Sequence, residues 1–194
     1  MKLTFWGTRG SIPTPSNPHT PTEAYGGDTT CISLEWGQDG LLIVDAGTGI
    51  RRAGFHWLRS GRKNFTLLFT HAHWDHLQGF PFFAPAYIEG NTIEILSPRL
   101  PNRPPGNIIQ KALHAQQEEP YFPAGFPELK AKFTFREVQP GEEMRFASGK
   151  DSIRVQSALT RHPGGCFAYR FDGPGQSGER SLVFATDNEP PIDP

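Results

Sequence analysis

A mixed α/β fold, with sheets covered by helices, is expected from three features of this chain. Short apolar runs with strand-like character recur along its length, and only two segments carry a helical pattern. The 21 glycines and 19 prolines punctuate those segments rather than forming one low-complexity block. Strands interleaved with a few helices pack as layers around a common core. The 194 residues suit one domain spanning 1–194, long enough to bury such a core.

Residues 3–6 read as a short strand ended by Gly7. Residues 8–28, rich in Thr, Pro, Ser and Gly, read as a long loop, and long loops in compact domains usually carry function or are disordered. Residues 29–36 and 41–45 flank the turn Gln38-Asp39-Gly40 and predict a hairpin. A helix follows over 50–59, closed by Ser60-Gly61. Strands are expected at 65–70 and 92–96, a helix over 108–119, and an aromatic, proline-rich loop over 120–127. Further strands are expected at 132–138, 143–147, 152–159, 166–171 and 181–186.

Charge and composition exclude several classes of function. Lys and Arg total 19 against 20 for Asp and Glu, a net charge of -1, so no footprint for bulk nucleic acid or an anionic membrane is expected. A small phosphate-bearing substrate held by metal stays compatible with that balance. Two cysteines, Cys31 and Cys166, are too few for a disulfide framework, and their apolar settings predict buried free thiols. The N-terminal residues lack the apolar run of a signal peptide, and no stretch approaches the roughly 18 apolar residues of a membrane span. A cytoplasmic protein is the expectation, with a homo-oligomer left open.

Chemistry concentrates at His71-Ala72-His73-Trp74-Asp75-His76. Imidazole nitrogens and carboxylate oxygens are the ligands borderline metals such as zinc prefer. His71 and His73, two apart on extended backbone, share one face and can chelate one ion. Asp75 and His76 follow a turn and can serve a second ion. Two ions about 3.5–4 Å apart clamp the attacking and leaving oxygens of a hydrolysis. A His-rich surface loop is the competing reading. Three of the chain's seven histidines within six residues, beside an aspartate, argue against chance. The motif also follows a strand, where ligands collect at the carboxyl edge of α/β sheets.

His71-x-His73-x-Asp75-His76 resembles the signature of the metallo-β-lactamase superfamily. That resemblance implies a four-layer αββα sandwich with metals at one edge of two packed sheets. Three further segments match in order. Asp45-Ala46-Gly47 resembles the motif whose aspartate supports the metal site from behind; alone, Asp45 reads as a turn residue. His162, in Arg161-His162-Pro163-Gly164-Gly165, resembles the third histidine of the first metal site rather than an ordinary loop histidine. Asp187 resembles the carboxylate bridging both ions; its competing role is a strand-end cap. The implied ligands are His71, His73 and His162 for one ion and Asp75, His76 and Asp187 for the other. Zinc is the first expectation, with manganese or iron also suited. His19, His56 and His114 match no motif and are expected in surface or packing roles.

The family pattern includes one further histidine after the bridging aspartate. No histidine follows His162 here, so the second ion is expected to be one ligand short and the sandwich incomplete at its C-terminal side. Water, His114 or a partner subunit are the candidate replacements. Residues 2–15 and Tyr25-Gly26-Gly27-Asp28-Thr29-Thr30-Cys31, with the run His73 to Phe83, resemble the branch containing ribonuclease Z and class II cyclic-nucleotide phosphodiesterases. In that branch the Gly7-Thr8-Arg9-Gly10-Ser11 loop lies beside the metals.

The resemblance therefore implies a binuclear hydrolase of phosphodiesters, a cyclic nucleotide or small nucleic-acid-like compound, acting through a water held between the ions and oriented by Asp75. Hydrolysis of a lactam, lactone or thioester, a non-catalytic metal-binding module and a di-iron oxygen-reducing protein remain the alternatives. No long arm for gripping transfer RNA is recognisable. Residues 121–126 are expected either as an aromatic wall over a base or as a buried cluster.

Overall fold

The computed structural model describes residues 1–101, 103–104, 106–176 and 178–189. Ten strands form two sheets. The first has the order β1 (Lys2–Gly7), β2 (Cys31–Trp36), β3 (Gly40–Val44), β4 (Asn64–Leu68), β5 (Thr92–Pro98) and β6 (Lys132–Val138). β1 to β3 pair antiparallel, and β3 to β6 pair parallel. The second sheet is an antiparallel meander of β7 (Glu143–Ser148), β8 (Asp151–Thr160), β9 (Cys166–Gly175) and β10 (Gly178–Phe184).

Parallel neighbours need crossovers, and two helices lie in them: α1 (Gly49–Arg59) between β3 and β4, and α2 (Ile108–Ala115) between β5 and β6. The segment between β4 and β5 instead carries the histidine motif and three short 3-10 turns, at Trp74–His76, Phe80–Phe82 and Ala84–Tyr87. The three loops that follow β3, β4 and β5 leave from one edge of the sheet, which is where the motif sits.

Strand alternation divides the core in two. Leu41 and Ile43 of β3, Phe65 and Leu67 of β4 and Ile93 and Ile95 of β5 face Ile50, Ala53 and Trp57 of α1 and Ile109 and Leu113 of α2. Leu42, Val44, Leu68 and Leu96 point the other way, onto Val155, Phe167, Tyr169 and Phe171 of the second sheet. A fully buried side chain of this size contributes about 1.5–3 kcal/mol, so one apolar layer holds the helices on the first sheet and the other holds the two sheets face to face. The described residues thus build a helix layer and two packed sheets. No helix among them covers the outer face of the second sheet, where Arg154, Arg170 and Asp172 form an ion-paired cluster.

The predicted hairpin is β2–β3, with Trp36 opposite Gly40 and Gly37 at φ +56° in the turn. The helix expected over 108–119 stops at Ala115. Pro120 cannot donate and disfavours helical backbone before it, so residues 116–119 close as turns, with Gln117 N–H bonding His114 and Glu118 N–H bonding Ala115. Its start is capped by the Asn107 side chain, which accepts from Gln110 N at 2.9 Å.

Phe126 sits in an aromatic cluster with Phe80, Phe133 and His114, and Phe122 packs edge-on against Phe82, while Tyr121 is exposed. The aromatic stretch is therefore mostly packing. Both cysteines are buried and free. No helix among the described residues is long and apolar enough to cross a membrane.

Candidate metal centre

Beyond β4 the chain stays buried through Thr70 and His71, then turns at Trp74–His76. His73, extended at φ -70° and ψ 153°, precedes that turn, which re-aims Asp75 and His76. His162 arrives on the loop between β8 and β9, and Asp187 on the chain leaving β10. His71, His73, His162 and Asp187 each offer a ligand atom, and all these atoms lie within 4.8 Å of one another. Asp187 Oδ2 is 3.1 Å from His71 Nε2, 3.5 Å from His162 Nε2 and 3.4 Å from His76 Nε2. His76 Nε2 is also 3.5 Å from Asp75 Oδ2. All six residues expected at the metals are thus brought together, with Asp187 between the two groups.

Asp45 stands behind them, 1% exposed. Its carboxylate accepts from Thr70 N at 2.8 Å and Thr70 Oγ1 at 2.9 Å, and meets His76 Nδ1 at 2.8 Å. That contact places a proton on His76 Nδ1 and turns Nε2 toward Asp75 and Asp187. Burial opposes charge on His76, but Asp45, then Asp75 and Asp187, outweigh it and raise its pKa to about 9.

The tautomer of His71 follows from the same chain of bonds. Thr70 gives its one hydroxyl proton to Asp45, so its oxygen accepts from His71 Nδ1, 3.0 Å away. Nε2 is then left as a lone pair. Burial, with His76 alongside, pushes the His71 pKa down to about 3, so the ring is neutral near pH 7. Nε2 is buried without a hydrogen-bond partner, although Asp187 Oδ2 lies 3.1 Å away. A lone pair facing a carboxylate with no proton between them is repulsive, and a cation relieves it. Donor atoms about 2.0–2.2 Å from one tetrahedral ion stand about 3.3–3.6 Å apart. The spacings of 3.1–3.5 Å around Asp187 are of that order, while His73 Nδ1 and His162 Nε2, 2.9 Å apart, stand at hydrogen-bond distance. The residues fit a divalent cation.

Two residues outside the expected set complete the arrangement. Thr70, which links Asp45 to His71 and His76, has no motif of its own. Ser11, in the loop after β1, donates its backbone N–H to Asp75 Oδ2 at 2.8 Å. Ser11 (φ +68°) and Asp45 (φ +61°) are the positive-φ non-glycine residues among those described, and both bond to the motif. Such backbone is held only where surroundings over-determine it. Gly47 is required by close approach, since a Cβ there would stand 2.4 Å from the carbonyl oxygen of Asp75. His114 stacks on Phe126 at 4.0 Å, and His56 packs against Trp6 and Trp57. His114 is thus a packing residue and not the replacement ligand.

Residues 24–166 match the family model described as the metallo-beta-lactamase superfamily. Among solved structures, human tRNase Z, short form (ELAC1), superposes with a TM-score of 0.59 at 18% identity, over 94% of this chain and 67% of that one. The metallo-beta-lactamase fold protein YhfI from Bacillus subtilis gives 0.59 at 17% identity, over 93% of this chain and 59% of that one. A diphosphatase from the PhnP family gives 0.53 at 17% identity, over 87% of this chain and 61% of that one. The chain therefore spans about three fifths to two thirds of the length of these structures, and identities this low speak for the fold alone. No curated protein matches the sequence. The family model takes in Asp45, the histidine motif and His162, and on that match this chain belongs to the metallo-β-lactamase superfamily.

Proposed function

We propose that the chain is a binuclear metal-dependent hydrolase acting on phosphodiester bonds. The observation that carries the reading is the buried lone pair of His71 Nε2 facing the Asp187 carboxylate, an arrangement that calls for a cation. His71, His73 and His162 would hold one ion, Asp75 and His76 the other, and Asp187 would face both. Bound divalent ions, zinc first among them, would supply Lewis acidity and lower the pKa of water.

The remaining roles belong to the chain. Asp75 is fixed through Oδ2 by the Ser11 amide, and no donor among the described residues occupies its Oδ1. In this reading that oxygen would orient an attacking water and take its proton. Asp45, directly and through Thr70, keeps His76 and His71 with Nδ1 protonated and Nε2 turned to the site. A doubly charged metal pair suits an anionic phosphodiester, and the names of two structural neighbours, a tRNase Z and a diphosphatase, describe phosphoryl substrates.

The test is turnover of bis(p-nitrophenyl) phosphate by the metal-loaded chain, beside a lactam, a lactone and a thioester. Asp75→Ala is expected to reduce phosphodiester turnover by about 10²–10⁴-fold, the range for losing a general base. Full activity in that variant would remove Asp75 from this role, and cleavage of only a non-phosphate substrate would overturn the phosphodiester reading.

A further inference from the structure

Beside the metal-capable cluster lie two adjoining open recesses. One, of about 180 Å³, is lined by His71, His73 and Arg103. The other, of about 470 Å³, is lined by His162, Arg161, Leu159 and again Arg103. They share Leu100, Arg103, Gly164 and Gly165, so Arg103 stands at their junction. A Cβ added at Gly164 would stand 3.5 Å from Arg103 Nη2 and 3.9 Å from His73 Nε2, so the guanidinium and the imidazole both border the space beside this glycine. Glycine there, at φ +82°, keeps the passage between them open.

Neither Arg103 nor Arg161 has a carboxylate partner among the described residues. Arg52, Arg99, Arg136, Arg145, Arg154 and Arg170 do, whereas Arg9, Arg51, Arg59 and Arg62, which also lack one, line neither recess. The Arg103 guanidinium near His73, and Arg161 on the wall of the larger recess, bring two charges without carboxylate partners beside an electron-rich metal site in a chain of net charge -1. The guanidinium fork matches the oxygens of a phosphate in two parallel hydrogen bonds. The wall continues into Leu159, 49% exposed, which offers apolar surface to a ring, with the buried Leu100 behind. A recess of about 470 Å³ is in the range of small-molecule sites and accepts a group of mononucleotide size.

We propose that Arg103 and Arg161 bind a second anionic group of the substrate. The substrate class is then a mononucleotide-sized phosphodiester carrying a further phosphate, with the scissile diester at the metals and the extra phosphate on the arginines. The assignment rests on the phosphodiesterase reading of the same site.

The experiment compares two chromogenic esters with the metal-loaded full chain: thymidine 5′-(p-nitrophenyl phosphate), and the same ester carrying a 3′-phosphate. The 3′-phosphorylated ester is expected to show a kcat/KM about tenfold higher, the effect of one charge-assisted pair. Arg103→Gln and Arg161→Gln each shrink that preference toward one, and Arg103→Lys keeps part of it. Equal kcat/KM for the two esters, or an undiminished preference in both glutamine variants, overturns the proposal. Binding of thymidine 3′,5′-bisphosphate, followed by calorimetry, reads the anion site without turnover and is expected to weaken about tenfold in Arg103→Gln. If neither ester is cleaved but that weakening is seen, the hydrolase reading fails and the anion site stands. Unchanged bisphosphate affinity overturns the anion site itself.

Discussion

At the edge where β4 and β5 end, the recesses beside His73 and His162 measure about 180 and 470 Å³, while the groove at the opposite edge, where β4, β5 and β6 begin, measures about 930 Å³. The larger groove is lined by Asn64, Thr92 and Lys132 at the strand starts, with Arg62 and Arg145 at its sides. Its arginines already have partners: Arg62 donates to the Asp39 carbonyl oxygen, and Arg145 pairs with Glu143. The recess beside His73 adjoins a buried imidazole nitrogen, that of His71, which has none. Size alone therefore does not mark the site. Convergent groups whose valences the protein leaves open do, and they gather where parallel strands end.

The largest expected effect separates the two edges directly. His73→Ala should weaken metal binding by more than about 100-fold, beyond what losing a partner one bond further out costs, and turnover should fall with it. Lys132→Ala, in the opposite groove, should leave metal content and phosphodiester turnover within about twofold of the parent, as surface substitutions away from such features generally do. Turnover lost in Lys132→Ala and kept in His73→Ala would exchange the two edges. Metal titration and a chromogenic assay on both variants decide it.

A smaller effect is expected at Asp45. Asp45→Asn keeps its shape but cannot accept from Thr70 and His76 as a carboxylate does, so metal affinity should fall by about 10–100-fold, measured by competition with a chelator.

Smaller again is the pH dependence of the metal-free chain. His71 is held at about 3 and His76 at about 9, on either side of the ordinary 6.5. His71 is neutral in the fold, so its contribution is present above 6.5 and lost as pH falls toward 3. His76 is charged in the fold, so its contribution is present below 6.5 and lost as pH rises through about 9. The melting temperature of the metal-free protein should therefore peak near pH 6.5, with about 2–4 °C lost for each kcal/mol on either side. Added metal should flatten the alkaline limb, since a ligated His76 has no second proton to lose. A monotonic profile without metal would contradict the Asp45–His76 contact.

Much of the architecture was legible locally. The strand positions followed from apolar alternation, and the β2–β3 hairpin followed from Gln38-Asp39-Gly40. The motif announced itself because its four polar groups lie within six residues. What could not be read was non-local. Asp45 meets His76 across 31 residues and His73 meets His162 across 89, and only the resemblance to a known family suggested that they would. Thr70 is one threonine among many until β4 delivers its hydroxyl to Asp45 and His71. Arg103 lies in a proline-rich stretch with no periodicity, and its place beside His73 arises from the fold of the loop before α2. The early stop of α2 was readable in Pro120, but the apolar pattern over 108–119 outweighed it.

The central claim is that His71 Nε2 and Asp187 Oδ2 face one another because a cation belongs between them. Its most direct test is metal content, measured by elemental analysis after dialysis, for the parent chain, His71→Ala and Asp187→Ala. The account predicts at least one tightly held divalent ion per parent chain and a loss of it in both variants. A parent chain that retains no metal when zinc, manganese and iron are each supplied, or variants that retain as much as the parent, would contradict it.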